Sequence, residues 1–241
     1  MMRLRPWRAV LSVCCAVLVM SGAAACGDAA EAGKDEPGAR PAAGPLTETL
    51  DADGTTIHVG RELAAGTMHV YEDPRCPVCK EFEDSGGARV LRENTENGFV
   101  RTDYTLASFL DDGLGGGGSK RAVNALRAAL EEGHFAAYHD VLYAHQPEES
   151  VDGFTTERLL ALASKVKGLR GPAFDKAVRT MRYADFAAAS EAAYERDGIQ
   201  GTPSFFLDDT LIASGTNDMV TTETGMTLTL VTRGQEQLKQ S

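Results

Sequence analysis

The sequence predicts an α/β protein in which a strand-built domain is interrupted by a block of helices. Three observations predict it. Short runs with strand character, Thr55 to Val59 and Thr67 to Tyr71, lead into the motif Cys76-Pro77-Val78-Cys79. Across Ser119 to Asp197 the apolar residues recur with the helical period of about 3.6. After Gly201-Thr202-Pro203, strand character returns over Ser204 to Leu207 and Thr210 to Ala213.

The N-terminus speaks to destination. Arg3, Arg5 and Arg8 precede an apolar run from Ala9 to Met20, then Ala23-Ala24-Ala25-Cys26. A run that short reads as an export signal rather than a membrane span. Small residues before a cysteine are similar to the bacterial lipobox, with Ala23 where the pattern usually has Leu; lipidation of Cys26 would give a stable anchor. The alternative is ordinary cleavage, leaving Cys26 a spare thiol. Of five cysteines, Cys14 and Cys15 leave with the leader and Cys26 takes lipid, so only Cys76 and Cys79 remain for chemistry. The net charge of −11 is carried without any basic tract outside the leader. Such a chain repels phosphate backbones and anionic headgroups, which argues against nucleic acid and against a polybasic membrane contact.

Taken in order, residues 1–25 form the lipoprotein signal and residues 26–46 a tether rich in Ala, Gly, Pro and charge. Folding begins near Thr47, and Asp53-Gly54 marks a turn before the first strand. Pro74 ends the second strand, and a helix runs from Cys76 through Phe82. In Phe99 to Leu106, alternation of Val100, Thr102, Tyr104 and Leu106 gives a third strand. Asp111 to Gly118 reads as a flexible hinge. It formally contains G-x-G-x-x-G, but no strand runs directly into it and it is taken as a glycine spacer. Stripes such as Leu159, Leu162, Ala163, Val166 and Phe174, Ala177, Val178, Met181 make 119–195 a helical domain inserted between 47–118 and 196–241. Thr227 to Thr232 has strand character and Gly234 to Gln240 helical character, so the C-terminal element stays open.

The segment Glu72-Asp73-Pro74-Arg75-Cys76-Pro77-Val78-Cys79-Lys80-Glu81-Phe82 and the loop Gly201-Thr202-Pro203-Ser204-Phe205 resemble the active-site junction and cis-proline loop of bacterial DsbA-like thiol oxidoreductases. The resemblance, covering roughly Thr47 to Ala213, implies a thioredoxin-like fold with an inserted α-helical domain. It also implies that the Thr202–Pro203 loop faces the dithiol and hydrogen-bonds an extended peptide substrate like an added strand. Val78 stands where strongly oxidising members carry histidine, implying a milder oxidant. Val70 stands where several relatives bury an acid, which leaves Glu72 and Asp73 as proton-transfer candidates or simply solvated strand-end carboxylates.

The chemistry follows from the spacing. A C-x-x-C at a helix start puts two sulfurs on one turn, the first where unpaired N–H groups and the helix dipole favour an anion. Cys76 is then the nucleophile and Cys79 the buried resolving thiol, with Pro77 suited to the first helical position. Arg75 and Lys80 read as flanking surface charges. Two rivals of other classes stand beside this. Zinc needs four ligands, and His58, His69, His134, His139 and His145 lack the paired spacing that would complete a site with two cysteines. A lipid-anchored binding module with an inert Cys76–Cys79 bond would gain little stability from so short a loop. The expectation is an exported, lipid-anchored monomeric dithiol–disulfide oxidoreductase without metal or organic cofactor. It would oxidise cysteine-containing exported proteins and be recycled by a membrane redox partner; a reductase role uses the same sulfurs and stays open.

Overall fold

A computed structural model describes residues 46–240, with side chains as far as Thr232. The leader, Cys26 and the tether up to residue 45 lie outside the described residues. The strands are β1 (Glu48–Leu50), β2 (Thr56–Val59), β3 (Gly66–Glu72), β4 (Val100–Leu106), β5 (Ser204–Leu207) and β6 (Thr210–Ser214). They form one sheet of order β1-β2-β4-β3-β5-β6. Only β3 and β4 are parallel, joined by the crossover helices α1 (Pro77–Glu83) and α2 (Gly86–Glu96). The parallel pair is central and β3 is its hub. Val70, fully buried, faces Tyr104 on β4 and Phe205 on β5. Phe82 of α1 meets Phe205 edge to face at 4.6 Å, which fixes the active-site helix on the sheet.

Between β4 and β5 stand α3 (Leu110–Leu114), α4 (Gly118–Glu131), α5 (Phe135–Ala144), α6 (Thr156–Ala163), α7 (Pro172–Arg179) and α8 (Ala184–Arg196). Their apolar stripes close on one another and on the sheet in a continuous core that includes Leu126, Phe135, Leu159 and Phe174. Polar clasps tie the helices back to the sheet. Glu48 on β1 accepts from the Phe135 and Ala136 amides at the start of α5, at 2.7 and 2.9 Å. The Ser190 hydroxyl on α8 accepts from Leu106 N at 3.0 Å. The chain ends with α9 (Asp218–Thr221) and α10 (Glu223–Gln240). Among the described residues no helix is long and apolar enough to cross a membrane.

One element left open by the sequence is resolved here, and one expectation is corrected. Thr227 to Thr232 is helical: Met226 and Leu230 are buried at i,i+4 spacing while Leu228 is exposed, so packing of one helical stripe overrides the β-branched Thr and Val run. The Asp111–Gly118 stretch is no free hinge. Asp111 lies inside α3 and is buried, and Gly118 already begins α4. Helix α2 and strand β1 had no sequence reading at all; α2 is capped by Ser85, whose hydroxyl accepts from Ala88 N at 3.1 Å.

Helix α2 meets the C-terminal helices at Gly87, where a Cβ would fall 1.7 Å from the Val220 carbonyl oxygen. Gly87→Ala should therefore lower stability by about 1–3 kcal/mol, read as a lower urea midpoint with unchanged slope. Gly113→Ala, whose Cβ would meet nothing within 4 Å, should leave the midpoint unchanged or raise it.

Candidate active site

Strand β3 delivers the dithiol. After Glu72 the chain turns at Asp73-Pro74, and the Cys76 amide donates to the Asp73 carbonyl at 2.9 Å. Cys76 keeps an extended backbone and is the N-cap of α1, with Pro77 in the first turn. Its Sγ accepts from Cys79 N at 3.3 Å, the position a capping oxygen usually takes. Both cysteines are free thiols, Cys76 6% exposed and Cys79 fully buried.

The two sulfurs are electrostatically unlike. Cys76 is drawn down from 9.0 to about 6, first by the hydrogen bond from the Cys79 side chain. Burial opposes this, while the Thr202 side chain and the Cys79 and Val78 amides assist. The Thr202 hydroxyl is buried without a fully formed hydrogen bond of its own. Cys79 is pushed well above its ordinary value, chiefly by burial. A thiol lowered on folding stabilises the reduced protein above its unfolded value of 9.0, and this is lost as pH falls through about 6.

The loop after α8 closes over the first sulfur. The Thr202–Pro203 bond is cis, Pro203 is buried, and the Thr202 carbonyl accepts from the Cys76 thiol at 3.3 Å. That last bond exists only while Cys76 keeps its proton, so it works against ionisation. Pro77 is exposed and Val78 half-buried; Val78 packs with Leu110 and Tyr143 around the sulfurs. Gln146 from the helical insertion donates to the carbonyls of Pro74 and Cys76, at 2.8 and 2.9 Å.

Three neighbouring charges are not where the sequence reading put them. Arg75 is 2% exposed, not a surface charge. Its guanidinium pairs with Asp111 at 2.8 Å and donates to the Gly115 and Glu149 carbonyls, at 2.9 and 2.8 Å. Asp111 also accepts from the amides of Ser119 and Lys120, so the supposed hinge clamps the active-site turn to α4. Asp73 and Glu72 are buried, not solvated. Asp73 accepts from Arg75 N, Leu110 N and the Ser119 hydroxyl, and burial lifts it to about 7 against those bonds. Glu72 is raised well above its ordinary value by burial. Lys80 is half-buried, paired with Asp84 at 2.6 Å and bonded to the Tyr143 carbonyl.

Sequence reasoning missed Glu83 and His139. Glu83 lies four residues beyond Cys79 on the buried side of α1, a spacing that could have exposed it. Burial raises it to about 8, and Arg92 pairs with it at 2.8 Å. His139 comes from the insertion and meets Glu72 at 2.8 Å. Glu72, Glu83 and His139 offer atoms within 4.8 Å of one another. Glu72 Oε2 is bonded to His139 and Glu83 Oε2 is paired with Arg92, while Glu72 Oε1 has no hydrogen-bond partner.

A dithiol at the N-terminus of a helix, on the central parallel pair of a sheet and under a cis-proline loop, defines the thioredoxin class of protein. The thioredoxin family model matches residues 52–222, and the chain belongs to that family. It is similar to disulfide bond formation protein D of Bacillus subtilis strain 168, 22% identical over 156 residues covering 64% of this chain and 68% of that protein. The crystal structure of oxidised BdbD from Bacillus subtilis superposes with a TM-score of 0.64 at 19% identity, covering 79% of this chain and 98% of that one. The reduced disulfide bond oxidoreductase DsbG from Mycobacterium tuberculosis gives 0.59 at 22% identity, covering 80% and 88%. The fold is that of these thiol–disulfide oxidoreductases, carried here with its helical insertion.

Removing Asp111 leaves a buried guanidinium with carbonyl partners alone. Asp111→Ala should cost about 3–5 kcal/mol in denaturant unfolding, well above the cost of an exposed pair such as Lys120–Asp112, about 0–1 kcal/mol.

Proposed function

We propose that the protein is an exported thiol–disulfide oxidoreductase that oxidises cysteine-containing protein substrates through Cys76 and Cys79. The observation that carries this reading is the asymmetry of the pair: Cys76, at the tip of α1 with a small exposed surface, ionises near neutrality, while Cys79 is fully buried and keeps its proton. A passive staple has no use for that difference, whereas disulfide exchange depends on it.

In the oxidised protein a substrate thiolate attacks Cys76 Sγ. A substrate–Cys76 disulfide forms, the Cys76–Cys79 bond breaks, and Cys79 leaves with the electron pair. The second substrate thiolate then attacks the substrate sulfur, making the substrate disulfide and releasing Cys76 as thiolate. Two electrons have moved to the protein. The low value of Cys76 makes it a good leaving group in that second step, which favours oxidation of substrate over its reduction. Val78 adds no charge or hydrogen bond to the thiolate from its side chain, in keeping with a milder oxidant. The Thr202 backbone is assigned to the substrate peptide and Pro203 to shaping the loop that presents it; the 3.3 Å contact between the Thr202 carbonyl and Cys76 puts that backbone beside the reacting sulfur.

The leader supports export, and Ala23-Ala24-Ala25-Cys26 supports lipid anchoring at Cys26, so that a monomer held at the outer face of the cell membrane meets chains as they emerge. Bearings of the domains follow: 47–118 and 196–241 carry the dithiol and 119–195 covers it. A membrane redox partner must remove the two electrons after each cycle. No nucleic acid is a partner for so acidic a chain.

Cys76→Ser should abolish oxidation of a two-cysteine peptide, and Cys79→Ser should accumulate a substrate–Cys76 mixed disulfide visible by mass spectrometry. Equilibration with glutathione should give a potential above thioredoxin's, about −270 mV; a value at or below that would favour a reductase. Exchange by Cys76→Ser at the wild-type rate would overturn the assignment.

A further inference from the structure

Glu72 of β3, Glu83 of α1 and His139 of α5 converge where the sheet meets the helical insertion. All three are buried, and each brings an oxygen or nitrogen atom within 4.8 Å of the others. Glu72 is fully buried, with Oε2 2.8 Å from His139 Nε2 and Oε1 without a hydrogen-bond partner. A wholly buried carboxyl oxygen left unsatisfied is costly, and here it belongs to a cluster of donors. The Tyr143 hydroxyl, on the next turn of α5, is also buried and without partner, and its ring lies 4.8 Å from that of His139.

We propose that Glu72, Glu83 and His139 bind a zinc ion that joins the sheet, the active-site helix and the insertion. Two carboxylate oxygens and one imidazole nitrogen suit a divalent transition ion, whereas calcium and magnesium take oxygen ligands. Burial disfavours the imidazolium of His139 and so leaves the neutral ring that metals bind. Burial likewise disfavours two adjacent carboxylate charges, and a cation between them offsets that cost. Zinc bonds of about 2.0–2.1 Å at tetrahedral angles put ligand atoms about 3.3 Å apart. The 2.8 Å Glu72–His139 contact therefore opens slightly and the wider separations close, by side-chain torsion alone.

The ion has a way in. Arg92, Tyr104, His139 and Asp140 border an open cleft between α2, β4 and α5. Arg92 Nη1 is 2.8 Å from Glu83 Oε2 and 3.6 Å from Asp140 Oδ1, and its side chain is 35% exposed. Turning toward Asp140 frees Glu83 for the ion and keeps the guanidinium paired. Three protein ligands leave a fourth position for water, which the cleft supplies. Binding displaces the proton between Glu72 and His139. No ligand is a cysteine, so the spacing of cysteines and histidines in the sequence gives no sign of the site. The proposal does not depend on the oxidoreductase reading, since the ion can be present without disulfide exchange and exchange without the ion.

The test uses the full chain in its oxidised form, so that the Cys76–Cys79 bond keeps both sulfurs from the metal. After incubation with zinc chloride and gel filtration, elemental analysis should find about one zinc per chain, and calcium chloride should leave no calcium. Zinc should also raise the melting temperature. Glu83→Gln and His139→Ala should each weaken zinc binding by at least the ~10–100-fold that loss of an outer-shell partner costs, measured by calorimetry. His134→Ala, on the wall of the same cleft, should bind as the wild type does. Absence of zinc from the oxidised protein, or its retention only by the reduced dithiol, would overturn the proposal. So would wild-type affinity in Glu83→Gln and His139→Ala, loss of zinc in His134→Ala, or calcium in place of zinc. Should the ligand variants not fold, X-ray absorption at the zinc edge of the wild-type protein decides. Nitrogen and oxygen neighbours at about 2.0–2.1 Å support the site, and sulfur at about 2.3 Å refutes it.

Discussion

A sulfur takes the place of the capping oxygen at the start of α1, and the active site depends on the consequence. The N-terminal amides of a helix favour an anion, and here the Cys79 thiol and amide and the Val78 amide converge on Cys76. Burial works in the opposite direction and loses, because Cys76 retains a small exposed surface and several donors. Cys79, one turn deeper, has burial without compensation. One geometric placement thus generates both the nucleophile and its reluctant partner.

Holding that placement requires the turn before the helix to be rigid. Asp73 and Arg75 are both buried there; Asp73 is bonded to Leu110 and Ser119, and Arg75 to Asp111 and to the Glu149 carbonyl in the loop after α5. The arrangement ties the sheet domain to its helical insertion through the active-site turn itself. Buried ionic networks of this kind contribute little net stability but are costly to break, so their value lies in fixing one geometry. Gln146 and the Thr202–Pro203 loop contact the same turn or its sulfur. The insertion is therefore part of the site.

Strands β2 to β6, the C-x-x-C helix and the loop at Pro203 were legible because each has a local signature: alternation, a motif at a strand–helix junction, a Gly-Thr-Pro before an apolar run. Insertion helices declared themselves by period. What escaped was long-range. Arg75 looks like a surface charge until Asp111, 36 residues away, arrives beside it. Glu72 looks like a strand-end carboxylate until α5 covers it with His139, 67 residues on. Glycines from Gly113 to Gly118 suggested slack, whereas Gly118 is closely approached: a Cβ there would stand 2.8 Å from the Asp152 carboxylate and 3.2 Å from Arg75 Cδ. At the C-terminus, Thr227, Thr229 and Val231 in alternation mimicked a strand, whereas among the described residues of α10 the buried stripe is Met226 and Leu230.

The central claim is that Cys76 is a thiolate at neutral pH, and the ultraviolet absorbance of thiolate, taken as reduced minus oxidised protein across pH, measures it directly. The account expects one sulfur to titrate with a midpoint near about 6 and to vanish in Cys76→Ser, with Cys79 silent over the same range. A single transition close to 9, the ordinary thiol value, would mean that nothing at the tip of α1 favours the anion, and the account would be wrong at its root.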